Sequence, residues 1–149
     1  MVKLHMERTI AASPERVFDW LVDPASLKAA PLVFRAGWAK DSSGPGTGAV
    51  REVSAVGAWF REEITAYDPP HSYSYRILRS FPVLDHEGGT LTFTPSGDGT
   101  HVDWVTTYTH PARAGGKAME TFTRRVLKRS FLAVLAGCAK ALEVGTQVP

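Results

Sequence analysis

The stretch "GAVREVSAVGAWFREEI", Gly48 to Ile64, reads as two strands joined by a turn at Gly57. Taken by alternate positions, the apolar phase of the first half is Ala49, Arg51, Val53 and Ala55, and that of the second is Phe60, Glu62 and Ile64. Each strand thus carries one charge on the face that should be buried. A hairpin turning near Gly57 sets Arg51 and Glu62 on the same face of adjacent strands. A lone buried charge is costly, so the simplest partner for each is the other. Three readings stay open. The pair pins the register of the hairpin, or a one-residue slip of phase leaves both side chains in solvent, or the pair stands on a cavity wall. In the last case Arg51 stabilises an oxyanion or holds a ligand carbonyl, and Glu62 moves a proton.

Outward from the hairpin, the pattern continues as strands. The expected segments are Val33 to Lys40, Gly48 to Ala55, Ala58 to Tyr67, Ser72 to Arg79, about His86 to Thr94, and His101 to Thr109. The punctuation between them is rich in Gly, Pro, Ser and Asp, notably Ser42-Ser43-Gly44-Pro45-Gly46, Asp68-Pro69-Pro70 and Ser96-Gly97-Asp98-Gly99. Residues 2 to 10 also alternate and form a first strand. Ser13-Pro14-Glu15 then opens a short helix, since Ser caps, Pro suits the first helical position and Glu favours the positive end. Asp23-Pro24 stops it and starts a second short helix reaching about Ala30.

From about Lys117 to Glu143 the apolar period becomes helical: Met119, Phe122, Val126, Phe131, Val134, Cys138 and Leu142 form a stripe opposite Glu120, Arg124, Arg125, Lys128 and Lys140. The tail from Val144 to Pro149 is expected to be loose. The sum is an α+β domain in which a curved seven-stranded antiparallel sheet closes around one long C-terminal helix, with two short helices after the first strand. A cavity between sheet and helix is the expected functional site.

Composition bounds the function. A chain of 149 residues fits one domain, residues 1–149, able to bury about 70% of its unfolded surface. Hydrophobic residues at 44% and charged residues at 21% are ordinary globular usage, which argues against disorder. The net charge of +2 is small, and the one basic cluster, Arg124, Arg125, Lys128 and Arg129, reads as a solvated helix face, so nucleic acid is not expected as a partner. Cys138 is the only cysteine, which excludes an internal disulfide and fits a cytosolic, reducing compartment. Lys3, His5, Glu7 and Arg8 interrupt the N-terminus, leaving no signal-peptide core and no stretch for stable membrane insertion. The expected state is a monomer or weak homodimer.

Five local motifs occur in order: "AASPERVFDWLVDP" (Ala11 to Pro24), "GAVREV" (Gly48 to Val53), "WFREEITAYDPP" (Trp59 to Pro70), "SYSYRI" (Ser72 to Ile77) and "THVDW" (Thr100 to Trp104). Together they resemble the helix-grip superfamily of START-like and polyketide cyclase/dehydrase-like proteins, across nearly the whole chain. The resemblance implies a small, mostly apolar ligand, such as a lipid, polyketide or isoprenoid-like molecule, without choosing one. Two functions follow: binding or carriage of that ligand, or an enzyme performing cyclisation, dehydration or isomerisation. The Val50-Arg51 and Trp59-x-x-Glu62 patterns, the latter leading to Asp68, are further similar to the lachrymatory-factor-synthase-like plant members. By that resemblance the catalytic roles fall on Arg51 and Glu62. The chain departs from that group at Asp85-His86, where a cavity tyrosine is expected after the Asp.

The expected ligand-binding residues are Trp38, Phe60, Tyr75, Ile77, Leu91, Phe93 and Trp104 from the sheet and Met119, Phe122 and Val126 from the helix, around Arg51 and Glu62. His86 is included because imidazole serves acid–base chemistry, although a strand-end histidine without a chemical role is the simpler reading. Tyr73 reads as core. His71, His86, His101 and His110 show no metal-ligand spacing, and Gly44 to Gly48 lacks the Lys-Ser/Thr of a phosphate loop, so neither a metal nor a cofactor is expected.

Overall fold

A computed structural model of the chain describes residues 1–42 and 44–146. Strand β1 (Val2–Ile10) is followed by helix α1 (Pro14–Val22) and a 3₁₀ segment (Pro24–Ala29). Six strands follow: β2 (Val33–Trp38), β3 (Val50–Ala55), β4 (Ala58–Asp68), β5 (Ser72–Phe81), β6 (Asp85–Ser96) and β7 (Gly99–Thr109). Helix α2 (Gly116–Thr146) closes the chain. Strand order is β1-β7-β6-β5-β4-β3-β2, antiparallel throughout, so strands consecutive in sequence make every pairing except that of β1 with β7. This is the expected helix-grip α+β architecture.

Local chemistry accounts for the elements before the long sheet. On β1 the alternation buries Val2, Leu4, Met6 and Ile10. At α1 the Ser13 hydroxyl accepts from the Arg16 N–H at 3.4 Å, Pro14 takes the first turn, and Val17, Phe18, Leu21 and Val22 form the buried face. Asp23 caps the following segment by accepting from the Ala25 N–H at 2.9 Å; that segment is 3₁₀ rather than α, in keeping with its six-residue length. Phe18 fixes α1 onto the sheet, meeting Tyr67, Tyr73 and Phe93 edge to face at centroid distances of 5.2–5.6 Å.

Two differences from expectation concern α2. The helix continues through Thr146, beyond the expected end at Glu143; of the expected tail, residues 147–149 lie outside the described residues. Glu120 does not face solvent with the basic residues. It is buried, and it accepts from the His110 N–H at 3.0 Å and from the Met1 ammonium at 3.2 Å. The His110 contact, chiefly, holds its carboxyl below the usual carboxylate range.

The sheet is irregular where it matters for the interior. β5 pairs with β6 only over Ser72–Tyr75 and Gly89–Thr92; beyond that the two strands part. A bulge between His86 and Gly88, with Gly88 at φ +136°, turns the start of β6. The Gly-Gly pair signals this bulge in the sequence. At the parting, the Ile77 N–H donates to Nδ1 of His86 at 2.9 Å, a side chain taking the place of a strand neighbour. The sheet therefore opens with the Ile77 N–H still satisfied, and the residues at the opening, Ile77 and His86, line the space under α2.

Candidate functional site

A cavity of about 420 Å³ lies between the sheet and α2, within the range of about 300–1,000 Å³ found for small-molecule sites. Helix positions Thr123, Val126, Leu127, Ser130, Phe131 and Val134 face it with helical spacing, opposite Val53, Phe60, Ile77 and Trp104 of the sheet. Its mouth is apolar too: Leu32, Val56 and Phe122 line the cavity yet are half to two-thirds exposed. Trp104 stacks on Phe131 across the interior at 4.5 Å, joining sheet to helix.

The opening hairpin supplies the charged group of this wall. Arg51 and Glu62 stand directly opposite each other on β3 and β4, both buried, with Nη2 of Arg51 2.6 Å from Oε1 of Glu62. The contact is ionic and lies outside hydrogen-bond geometry. The guanidinium also has a second task. Its Nη1 donates to the carbonyls of Leu21 (3.4 Å) and Val22 (3.3 Å), the orphan carbonyls at the C-terminal end of α1. Tyr73 and Ser26 hydroxyls donate to the same Leu21 carbonyl at 3.1 and 3.3 Å. Both Tyr73 and Tyr75 present ring faces to the guanidinium at 5.6 and 5.7 Å. Burial works against the Arg51 charge, but Glu62 and the tyrosines outweigh it and raise its pKa. Among the described residues its Nε finds no hydrogen-bond partner.

Beside the pair lies a neutral polar cluster. Tyr75 stacks on His86 at 5.4 Å, and its hydroxyl accepts from the Trp104 indole N–H at 2.9 Å. Gly89, opposite Tyr75, has no room for a side chain: a Cβ would sit 2.3 Å from the phenol ring. Burial, then the negative Glu62, raises the Tyr75 pKa and keeps it a phenol. The tautomer of His86 follows from its partners. Nδ1 accepts a backbone N–H, so Nε2 carries the proton and donates to the Thr106 hydroxyl at 2.7 Å. Burial first, then the nearby Arg76, lower its pKa to about 4. A second chain runs from Tyr108 through Thr123 (2.9 Å) to Nε2 of His110 (3.0 Å), whose Nδ1 donates to the Val83 carbonyl at 2.8 Å.

Of the expected ligand-binding residues, Arg51, Phe60, Glu62, Tyr75, Ile77, His86, Trp104, Phe122 and Val126 come together on the cavity wall. Four do not line it. Trp38 ends the edge strand β2 and borders a separate shallow hollow with Arg35, Glu52, Trp59 and Arg61. Leu91 and Phe93 point inward but lie in the core, with Phe93 packed against Phe18 and Tyr73. Met119 packs instead near Gly115 at the start of α2. Thr106, Tyr108, His110 and Thr123 line the cavity although the sequence reading does not select them for it. Thr106 and Tyr108 continue the alternation of Trp104, and Thr123 the helical spacing of Val126, so both periods carry the signal. Cys138, buried with its thiol pushed up to about 12 chiefly by burial, is inert core.

Arg51→Met should lower stability by about 3–5 kcal/mol, because it leaves Glu62 buried without its counter-ion and the end of α1 uncapped. Arg51→Met combined with Glu62→Leu should recover part of that loss; urea unfolding of the three proteins measures both. His86 gives a pH prediction. Unfolded histidine takes a proton near pH 6.5, roughly its ordinary value, whereas His86 in the fold does so only near 4. Stability from the neutral form is complete above that unfolded value, falls as acid protonates the unfolded chain, and levels off below about 4. His86→Asn should make the unfolding free energy flatter across this window than wild type.

Comparison with known proteins agrees with the architecture. The chain is similar to TTHA0849 from Thermus thermophilus (TM-score 0.78, 21% identity, covering 98% of this chain and 100% of that one). It is similar to the di-domain ARO/CYC StfQ of the steffimycin biosynthetic pathway (TM-score 0.78, 18% identity), covering 99% of this chain and 52% of StfQ, about half its length. Ara h 8.0201 shares the fold at TM-score 0.61 and 15% identity, over 91% of this chain and 97% of that one. No curated protein matches the chain. The family model described as polyketide cyclase / dehydrase and lipid transport matches residues 1–143, nearly the whole of the helix-grip domain, and the chain belongs to that family.

Proposed function

We propose that the protein binds one small, mostly apolar molecule in the cavity between sheet and α2, with a single polar group of that molecule placed against Glu62 and Tyr75, beside the charge of Arg51. The observation that carries this reading is the cavity itself, about 420 Å³ walled mainly by hydrocarbon with its charges confined to one buried pair. Apolar residues at the mouth supply an entry path that a lipid-like or aromatic polyketide-like molecule crosses without desolvating charges. The reading needs no cofactor, and it takes the protein as a cytosolic carrier acting as a monomer or weak homodimer. No helix among the described residues is long and apolar enough to cross a membrane.

One observation favours a second reading, a polyketide cyclase- or dehydratase-like enzyme. Glu62 stands on the cavity wall with a carboxylate held by Arg51, beside hydroxyls and a neutral imidazole that keep proton-accepting groups fixed. In this reading Glu62 takes the proton from a carbon or hydroxyl of the substrate, Tyr75 holds the developing oxyanion, and the charge of Arg51 stabilises it. The family's description as polyketide cyclase / dehydrase makes polyketides the class of substrate to try first.

Two variants separate the readings. An apolar fluorescent probe should bind wild type one to one, and Val126→Trp, which fills the cavity from the surface of α2, should weaken binding at least tenfold while keeping the wild-type melting temperature. Equal probe binding by both proteins contradicts the site. With polyketide-like substrates, the enzyme reading expects Glu62→Gln to lower turnover by about 100-fold or more and to leave probe affinity within threefold. Absence of turnover in wild type with binding intact favours the carrier.

A further inference from the structure

The face of the sheet turned away from the cavity holds a cluster that the ligand site does not use. On β1, His5 and Glu7 are two residues apart; on β7, His101 and Asp103 repeat the spacing. The antiparallel register sets Glu7 directly opposite Asp103, and the nine β1–β7 pairs run without a shift. Two carboxylates facing each other across a strand pair repel, so this arrangement calls for positive charge between them. Both imidazoles turn Nε2 to meet it. Nε2 of His5 lies 2.9 Å from Oδ1 of Asp103 and 3.9 Å from Oε2 of Glu7. Nε2 of His101 lies 3.0 Å from Oε1 of Glu7 and 3.7 Å from Oδ2 of Asp103, while its Nδ1 is paired with the Thr9 hydroxyl at 2.8 Å.

We propose that this outer face of the β1–β7 pair is a binding site for a zinc-type divalent cation, ligated by His5, Glu7 and Asp103, with His101 orienting Glu7 from behind. One ligand atom from each of the three residues lies within 4.8 Å of the others. Around tetrahedral zinc, bonds of about 2.0–2.2 Å put neighbouring ligand atoms roughly 3.3 Å apart. Closing the cluster onto an ion therefore asks for side-chain movements of about an ångström or less, on strands whose backbone is already in register. One imidazole with two carboxylates selects a borderline ion such as Zn²⁺ over Mg²⁺ or Ca²⁺, which take oxygen ligands. The half-exposed side chains leave the remaining coordination position to water. His101, fixed through its Nδ1 by Thr9, holds Glu7 as an outer-sphere partner holds a metal ligand.

The competing account is an exposed network of ion pairs and nothing more. Calorimetric titration of the full, tag-free, EDTA-treated chain with ZnCl₂ decides between them. The proposal expects one saturable site, weakened at least tenfold by His5→Ala or Asp103→Asn, less by His101→Ala, and no more than twofold by His71→Ala, an exposed histidine elsewhere. At free Zn²⁺ about 100 times the wild-type dissociation constant, the wild-type melting temperature should rise by roughly 5–10 °C, and the two ligand variants should rise by no more than about half as much. No saturable binding, or wild-type affinity in His5→Ala and Asp103→Asn with their folds intact by circular dichroism, overturns the site. Magnesium chloride in the same cell should give no binding; equal affinity for Mg²⁺ overturns the assignment to a zinc-type ion.

Discussion

One guanidinium ties this fold together. Arg51 reaches from β3 to the carbonyls that end α1, to Glu62 on β4, and to the faces of two tyrosines on β5. A helix end buried without partners leaves orphan carbonyls, and a buried charge without a counter-ion is costly. Placed together, each answers the other: the helix C-terminus is the negative end of its dipole and favours a cation. Three strands and a helix are thereby fixed around one point. Phe18 on α1 then packs against Tyr67, Tyr73 and Phe93, and that cluster forms the core beside the cavity rather than collapsing into it.

This arrangement divides labour between the two charges of the opening hairpin. Arg51 commits Nη1 and Nη2 to the protein, and its Nε, unpaired among the described residues, is itself buried, so its role is to build the wall. Glu62 is the charge that the cavity can use. Around it the polar groups are neutral at ordinary pH and held in one state: Tyr75 stays a phenol, and His86 carries its proton on Nε2 because Ile77 occupies Nδ1. Such a cluster accepts or donates hydrogen bonds to one polar group without adding further charge to an apolar site. The sheet's parting between β5 and β6 makes room for the imidazole, so the irregularity and the chemistry have the same origin.

Alternation is enough to read the Arg51–Glu62 pair, since a period of two places a residue on a face once its strand is known. The same rule gives Tyr75, Ile77 and Trp104 their inward direction. It does not say how far along a strand the cavity lies, and Leu91 and Phe93 show the consequence: they point inward but sit in the core, where Phe18 of α1 packs on Phe93. Glu120 fits the polar side of α2 by spacing, yet the backbone N–H of His110, just past the end of β7, draws it inside. The capping of α1 by Arg51 joins residues about thirty positions apart, and the cluster of His5 with Asp103 joins residues ninety-eight apart. Neither leaves a local pattern, because both depend on register and on how a helix lies over a sheet.

The central claim, a cavity that takes up one small apolar molecule, is tested most directly by native mass spectrometry of the intact chain, before and after extraction of bound small molecules and after addition of single fatty acids or aromatic phenols. The account predicts a one-to-one complex, either already present after purification or formed on addition, that saturates at a single equivalent. A chain that stays at its bare mass with every compound, or gathers adducts without a limit of one, would contradict it.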